Sequence, residues 1–436
     1  MQDGRRQRPI FQLGHTFFTK VAIAVSRLAL LFILGQVFGP AEFGAYSLIT
    51  ITITLALVVV GLNANVYIYR AVPGQSDADA RRILGTVAAL ELGLATAVLI
   101  LIVATSSLAR MLDILNVESY SNAFLIALIW LLLELHTVEL KNFFYGRQQV
   151  ERANAIDLIK QVGWVPVVAL LAFAHVAVTV EVVVVVALAA SLVAVVYGDS
   201  LARPWAAAIT LPILKEALRF GAPLILPTLG ILALRFVDRY FLSAYRSLDE
   251  VGLYSLIASL MNAVYASSAL VADSTLTPRA TRASNLGRGS QRDRILWTSL
   301  GLSVTSFMAA AVIAWGLAAF GIGRVIRADY APGLGVLPLV AFGYVVQIIG
   351  TGPHNVLWLA GRTRALMVVD SLSVLAALGL DYLLIPGMGM YGAAYGTIVG
   401  LGISTAVTFV MSGFWRSFRW SDAFFGFTHL SELEHS

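Results

Sequence analysis

Four basic residues and an aspartate fall inside stretches that are otherwise apolar. Lys20 and Arg27 are seven residues apart within 16–38, so one helical face carries both, and Arg235, Asp238 and Arg239 are spaced i, i+3, i+4 within 220–243. An ionised side chain at the centre of a membrane helix costs about 2.5–3.5 kcal/mol on insertion scales, and is kept only where it faces protein or a water-filled cavity. A guanidinium presents a planar fork of donors that matches phosphate and carboxylate oxygens. The chemistry expected is therefore anion binding, with Arg27, Arg235, Arg239, Lys20 and Asp238 as candidate cavity residues. A plainer reading stands beside each: Asp238 neutralises a neighbouring arginine, and Lys20 snorkels to the headgroups.

Intramembrane carboxylates form the second set. Glu91 and Glu134 are candidates for ion coupling, because a carboxyl group held in an apolar medium can exchange a proton. Glu139 and Asp370 lie near helix ends and are expected to pair with basic neighbours, Glu139 with the surroundings of Lys141. His136 is expected to bond to a neighbouring helix, and the six histidines show no metal-ligand spacing. There is no cysteine, no Walker A sequence and no Gly-x-Ser-x-Gly elbow, so no metal, no cofactor and no catalytic residue is expected, and the chain does not read as an enzyme.

Positioning these groups takes many helices. With 58% hydrophobic and 13% charged residues in 436, the chain has too little polar surface for a soluble globule. About twelve apolar windows reach the length that crosses a bilayer as helix: 16–38, 43–68, 83–108, 121–140, 155–174, 182–198, 220–243, 251–272, 295–319, 334–358, 366–385 and 390–412. The fold class expected is an all-α polytopic membrane protein. Most of the 30 basic residues fall on one side of that arrangement, whereas the opposite side receives only Arg110, Arg246, Arg324 and Arg327. By the positive-inside rule both termini are cytoplasmic. The net charge of +5 is thereby a matter of membrane orientation, and nucleic acid is not an expected partner.

The chain also repeats itself. In SRLALLFILGQVFGPAEFGAYSLI at 26–49 and LRFVDRYFLSAYRSLDEVGLYSLI at 234–257, Arg27 falls on Arg235, Glu42 on Glu250, Gly44 on Gly252, and Tyr46 to Ile49 on Tyr254 to Ile257, with no gap. Gly146-Arg147 and Gly361-Arg362 give a fainter echo. The expected organisation is a six-helix bundle over 1–198, a cytoplasmic linker at 199–219, a pseudo-symmetric six-helix bundle over 220–413, and a tail at 414–436 whose mixture of aromatics and arginines suits the headgroup region.

These two segments, with GRTRALMVVDSLSVLAALGLDYLLIPGMGMYGAAYGTIVG at 361–400, resemble the polysaccharide or O-antigen flippases (Wzx-type) of the multidrug/oligosaccharidyl-lipid/polysaccharide exporter (MOP) superfamily. The resemblance implies two lobes around a central cavity, alternating access, and residence in the bacterial inner membrane. The implied substrate is an undecaprenyl-pyrophosphate-linked oligosaccharide, with Arg27, Arg235 and Arg239 on its pyrophosphate or acidic sugars. Implied partners are this lipid-linked substrate, membrane lipids and polysaccharide assembly proteins. Two alternatives remain at this point: a multidrug/cation antiporter of the same superfamily, which would favour an acidic cavity, and a membrane-embedded polysaccharide polymerase, which would want a long external loop carrying carboxylates.

Overall fold

Apolar runs with polar ends can only satisfy their backbone groups internally when they cross hydrocarbon, and helix is the way a single segment does so. The computed structural model describes residues 9–206 and 208–418, and its regular structure is helical apart from one isolated bridge between Ile322 and Ile326. In chain order the α-helices are α1 (Pro9–Val37), α2 (Pro40–Gly61), α3 (Asn65–Ala71), α4 (Asp77–Ala104), α5 (Ser107–Ile114), α6 (Ser121–Gly146), α7 (Val150–Gln161), α8 (Val165–Phe173), α9 (Val180–Ala202), α10 (Leu211–Tyr245), α11 (Leu248–Asn285), α12 (Gly289–Gly321), α13 (Leu337–Leu359), α14 (Thr363–Met388) and α15 (Met390–Ser412).

Ten segments are long and apolar enough to cross a membrane, and two bent pairs bring the number to twelve when each counts as one span. One pair is Leu211–Leu226 with Thr228–Tyr245, bent by 42° where Pro227 interrupts α10. A proline lacks the N–H that would close a helical turn, which accounts for a bend there. The other pair joins Ala328–Gly335 to Leu337–Leu359 at 52°. The fifth span, Val150–Phe173, is helix α7 followed by helix α8. Between them Gly163 approaches the Ile159 carbonyl so closely that a Cβ would lie 2.6 Å from its oxygen.

Helix starts follow ordinary capping chemistry. Ser76 accepts from the Asp79 amide ahead of α4, with Asp77 and Asp79 in the first turn where the helix dipole favours anions. Ser247 accepts from the Glu250 amide ahead of α11, and Thr179 from the Val182 amide ahead of α9. The tail expected at 414–436 opens with a short 3-10 turn, Phe414–Ser417, whose Phe414 ring stacks on Trp297 at 4.2 Å; beyond Phe418 that expectation lies outside the described residues.

Two compact units make up the chain: residues 1–38 with 45–229, and residues 39–44 with 230–436. In the first, α6 packs on α9, α7 bridges α1 and α9, and a core of Ile68, Leu84, Leu140, Phe144 and Ile156 is fully enclosed. In the second, α15 packs on both α13 and α14, and α11 on α12. The six residues that the second unit takes from the start of α2 sit against the start of α11. There Gly44 and Gly252, the glycines matched by the repeat, face each other's segment: a Cβ on Gly44 would lie 2.3 Å from the Leu248 carbonyl oxygen, and one on Gly252 only 1.8 Å from that of Pro40. Two helix starts approach this closely only without side chains.

Candidate functional site

The four cations expected inside spans divide into two kinds. Arg239, on α10, is buried and ion-paired: its Nη1 donates to Asp238 Oδ1 at 3.1 Å and also to the Arg235 carbonyl, and its guanidinium lies 5.3 Å from the centre of the Tyr254 ring. Asp238 is buried with it, accepts from the Arg239 amide at 2.9 Å, and receives a longer contact from the Thr397 hydroxyl at 3.5 Å. Lys20, on α1, reaches Asp157 Oδ2 on α7 at 3.6 Å. These two cations have their counter-charges.

Arg27 and Arg235 do not. Among the described residues neither forms an ion pair with a carboxylate, and both are exposed. Arg27 donates at 2.5 Å to the neutral amide oxygen of Gln161 on α7, while the Arg235 guanidinium lies 6.0 Å from the centre of the Tyr265 ring. The arginines matched by the sequence repeat are thus the ones with no carboxylate in ion-pair contact, each within its own unit, although Asp157 acts on Arg27 at longer range.

Arg235 stands at the junction of two adjoining pockets of the second unit, which share Leu234, Arg235, Gln347 and Leu401. One encloses about 470 Å³ and includes Asp238, Arg239, Tyr254, Tyr344 and Thr397. The other is an open cleft of about 740 Å³ whose lining includes hydrogen-bonding groups, among them Thr351, His354, Asn355, Asp370 and Ser404. Asp370, expected to meet a lysine or arginine, lies 3.8 Å from His354 Nε2 and 3.5 Å from the Ser404 hydroxyl. A free guanidinium beside amides and hydroxyls can hold an anionic group attached to a polyhydroxyl body.

The first unit carries an ionic network that the sequence only half showed. Asp157 is buried and joined by Lys141 at 2.8 Å as well as by Lys20, and Gln161 donates to it at 3.1 Å. Glu134 is ion-paired to Lys160, and its Oε1 accepts from Trp130 and from Ser191, each at 2.9 Å. Glu139 does not meet Lys141 as expected. About half a turn of helix separates their directions: Lys141 reaches α7, while Glu139 accepts or shares a proton with His136 Nδ1 at 2.6 Å. His136 Nε2 in turn lies 2.8 Å from Asp199 on α9. Glu91, on α4, is fully buried with neither carboxylate oxygen hydrogen-bonded.

Sequence reasoning passed over Asp157, Gln161 and Asp381. Asp157 and Gln161 are spaced i, i+4 on α7, the pattern that complements Lys20 and Arg27 at i, i+7 on α1, and that pairing was the available signal. Asp381 is buried in α14 against Gly396, where a Cβ would lie 2.1 Å from its Oδ1, and nothing in its local spacing marks it. Among the described residues no group of three or more acidic or histidine side chains is arranged to hold a metal.

The sequence profile of the polysaccharide biosynthesis protein family matches residues 16–284, well over half of the chain. The chain belongs to that family. Among solved structures, this polysaccharide biosynthesis protein is similar to the lipid II flippase MurJ in an inward closed conformation, with a TM-score of 0.71 at 14% identity over 95% of this chain and 89% of that one. It is also similar to a multidrug resistance MATE family transporter of the MOP superfamily in an inward-facing conformation, with a TM-score of 0.68 at 13% identity over 95% and 96%. No curated protein matches it in sequence. At such identities the likeness is one of fold: this family member is a multi-pass helical membrane protein with the architecture of MOP-superfamily transporters.

Proposed function

We propose that the protein is a transporter that flips undecaprenyl-pyrophosphate-linked oligosaccharide repeat units from the cytoplasmic to the outer leaflet of the bacterial inner membrane, for surface polysaccharide biosynthesis. The observation that carries this reading is the pair of repeat-matched arginines, Arg27 and Arg235, which alone among the cations expected inside spans have no carboxylate partner. Holding an uncompensated guanidinium within a membrane helix is costly, and an anionic ligand offsets that cost when it binds. Arg239 and Asp238 brace the same pocket, and Lys20 sits in the network behind Arg27. The membership in a polysaccharide biosynthesis family supports a glycan as the cargo, and the hydroxyl- and amide-rich pocket beside Arg235 suits its sugars.

Both termini lie in the cytoplasm on this reading, because the basic loops do. The chain works by alternating access, and it acts as a carrier rather than an enzyme. A multidrug/cation antiporter would want an anionic pocket with spare carboxylate, whereas here Asp238 is already neutralised by Arg239 and the spare charge is positive.

The test is deletion of the gene in its host, followed by leaflet-specific detection of lipid-linked sugar, with complementation by the wild type and by Arg27→Ala and Arg235→Ala. Accumulation of the lipid-linked repeat in the inner leaflet, rescued by the wild type alone, is the expected result. Unchanged outer-leaflet material after deletion would overturn the assignment.

A further inference from the structure

Two carboxylates lie deep in the first unit on the packed helices α4 and α6. Glu91 on α4 and Glu139 on α6 are both fully buried, and each bears on the other electrostatically. Neither Glu91 oxygen, nor Oε1 of Glu139, has a hydrogen-bond partner. The Asn65 backbone also bears on Glu91. From α2, Gly61 contributes no charge and leaves room for the carboxylate, whose Oε2 would lie 3.5 Å from a Cβ there. The lysines of the neighbourhood are committed elsewhere, Lys141 to Asp157 and Lys160 to Glu134, which leaves His136 on Glu139 as the basic side chain in contact with the pair. Three acceptor oxygens without a donor in a buried site are expensive, and like charges at such range more so. One proton between the two carboxylates removes a negative charge and converts an unmade contact into an O–H···O bond.

The same pair has a connection to the outside. Glu139 Oε2 lies 2.6 Å from His136 Nδ1, and His136 Nε2 lies 2.8 Å from Asp199 Oδ1. Asp199 is partly exposed near the end of α9, where Trp205 Nε1 donates to its other oxygen at 3.1 Å. Imidazole is suited to relay: a proton taken at Nε2 from Asp199 lets one leave from Nδ1 to Glu139, and exchange of ring tautomer resets it.

We infer that Glu91 and Glu139 form a proton-binding dyad, loaded and emptied through His136 and Asp199. Proton binding rests on the burial, the unpartnered oxygens and the chain through His136 and Asp199; its use as the ion that couples transport rests on the flippase reading. Glu134, the other carboxylate considered for coupling, is held by Lys160, Trp130 and Ser191 and takes no part.

The experiment is infrared spectroscopy of the full-length protein in proteoliposomes at neutral pH, reading the carbonyl stretch of protonated carboxyl groups. Glu91→Gln and Glu139→Gln preserve shape and hydrogen-bonding capacity, and each should remove the same component of that band. Retention of the full band in both variants, or no such band in the wild type, overturns the dyad. Deuterium exchange of the component should slow in His136→Gln and in Asp199→Asn, and unchanged exchange in both overturns the relay. If one variant fails to fold, as judged by thermal unfolding in detergent, the other three still decide. No transported substrate is needed: a lost band with normal polysaccharide display keeps the dyad and overturns its coupling role, an intact band in both variants overturns the dyad and leaves the flippase reading standing, and unchanged outer-leaflet sugar after gene deletion overturns the flippase reading and leaves the dyad standing.

Discussion

The two units handle buried charge in opposite ways. In the first, charged and amide side chains from three helices interlock: Lys20 on α1, Lys141 on α6 and Gln161 on α7 all converge on Asp157, and Lys160 closes on Glu134. In the second, the charges on α10 are neighbours in sequence, Asp238 satisfies Arg239 locally, and Arg235 is left facing two pockets. A distributed network resists the loss of one member, since the remaining partners can still neutralise the buried ion. A local pair cannot, and a lone arginine has nothing to lose but a ligand.

The sharpest way to break this contrast is at Arg235. Arg235→Ala should abolish surface polysaccharide while the protein stays in the membrane at wild-type level, and Arg235→Lys should restore part of it by keeping the charge without the fork; glycan gels with a membrane immunoblot read both. Normal display in the alanine variant would erase the distinction between Arg235 and its paired neighbours.

Next in size is the local pair. Asp238→Ala leaves buried Arg239 uncompensated, for an expected loss of about 3–5 kcal/mol, whereas Asp238→Leu combined with Arg239→Met should recover much of it. Thermal unfolding in detergent checks this, and equal loss in the single and double variants would show that the pair's charge is not what matters.

A third measurement concerns backbone approach. Gly252→Ala should destabilise by about 1–3 kcal/mol, and more than Gly44→Ala, because its Cβ would lie nearer a carbonyl oxygen. The reverse ranking would place the tighter contact in the wrong copy.

The smallest effect belongs to the network. Lys20→Ala removes a partly exposed cation at 3.6 Å while Lys141 stays on Asp157 at 2.8 Å, so the change should be about 0–1 kcal/mol. A loss as large as that of Asp238→Ala would mean that the network is not redundant.

What the sequence could and could not disclose follows from the same contrast. Span length, the charges within spans and the repeat are local properties, so the all-helical architecture of ten to twelve candidate spans was readable from apolar windows. The cluster on α10 was readable as well, because i, i+3 and i+4 place Arg235, Asp238 and Arg239 together whatever surrounds them. Partners on other helices were not. Glu139 and Lys141 lie two residues apart and therefore point different ways, so proximity in sequence suggested a pairing that geometry forbids. His136 read as a polar residue with one neighbouring helix to bond, yet it joins Glu139 and Asp199 at once. Asp157 and Asp381 gained their meaning only from the helices packed on them.

The crossing of Gly44 with Gly252 carries a consequence of a different order. A duplicated chain is free to let its halves drift apart, each position answering only to its own surroundings. Here each copy supplies the wall against which the other copy's glycine is pressed, through the carbonyls of Leu248 and Pro40. A side chain acquired on one side would need the opposite backbone to retreat, so the two positions are inherited as a single mechanical part.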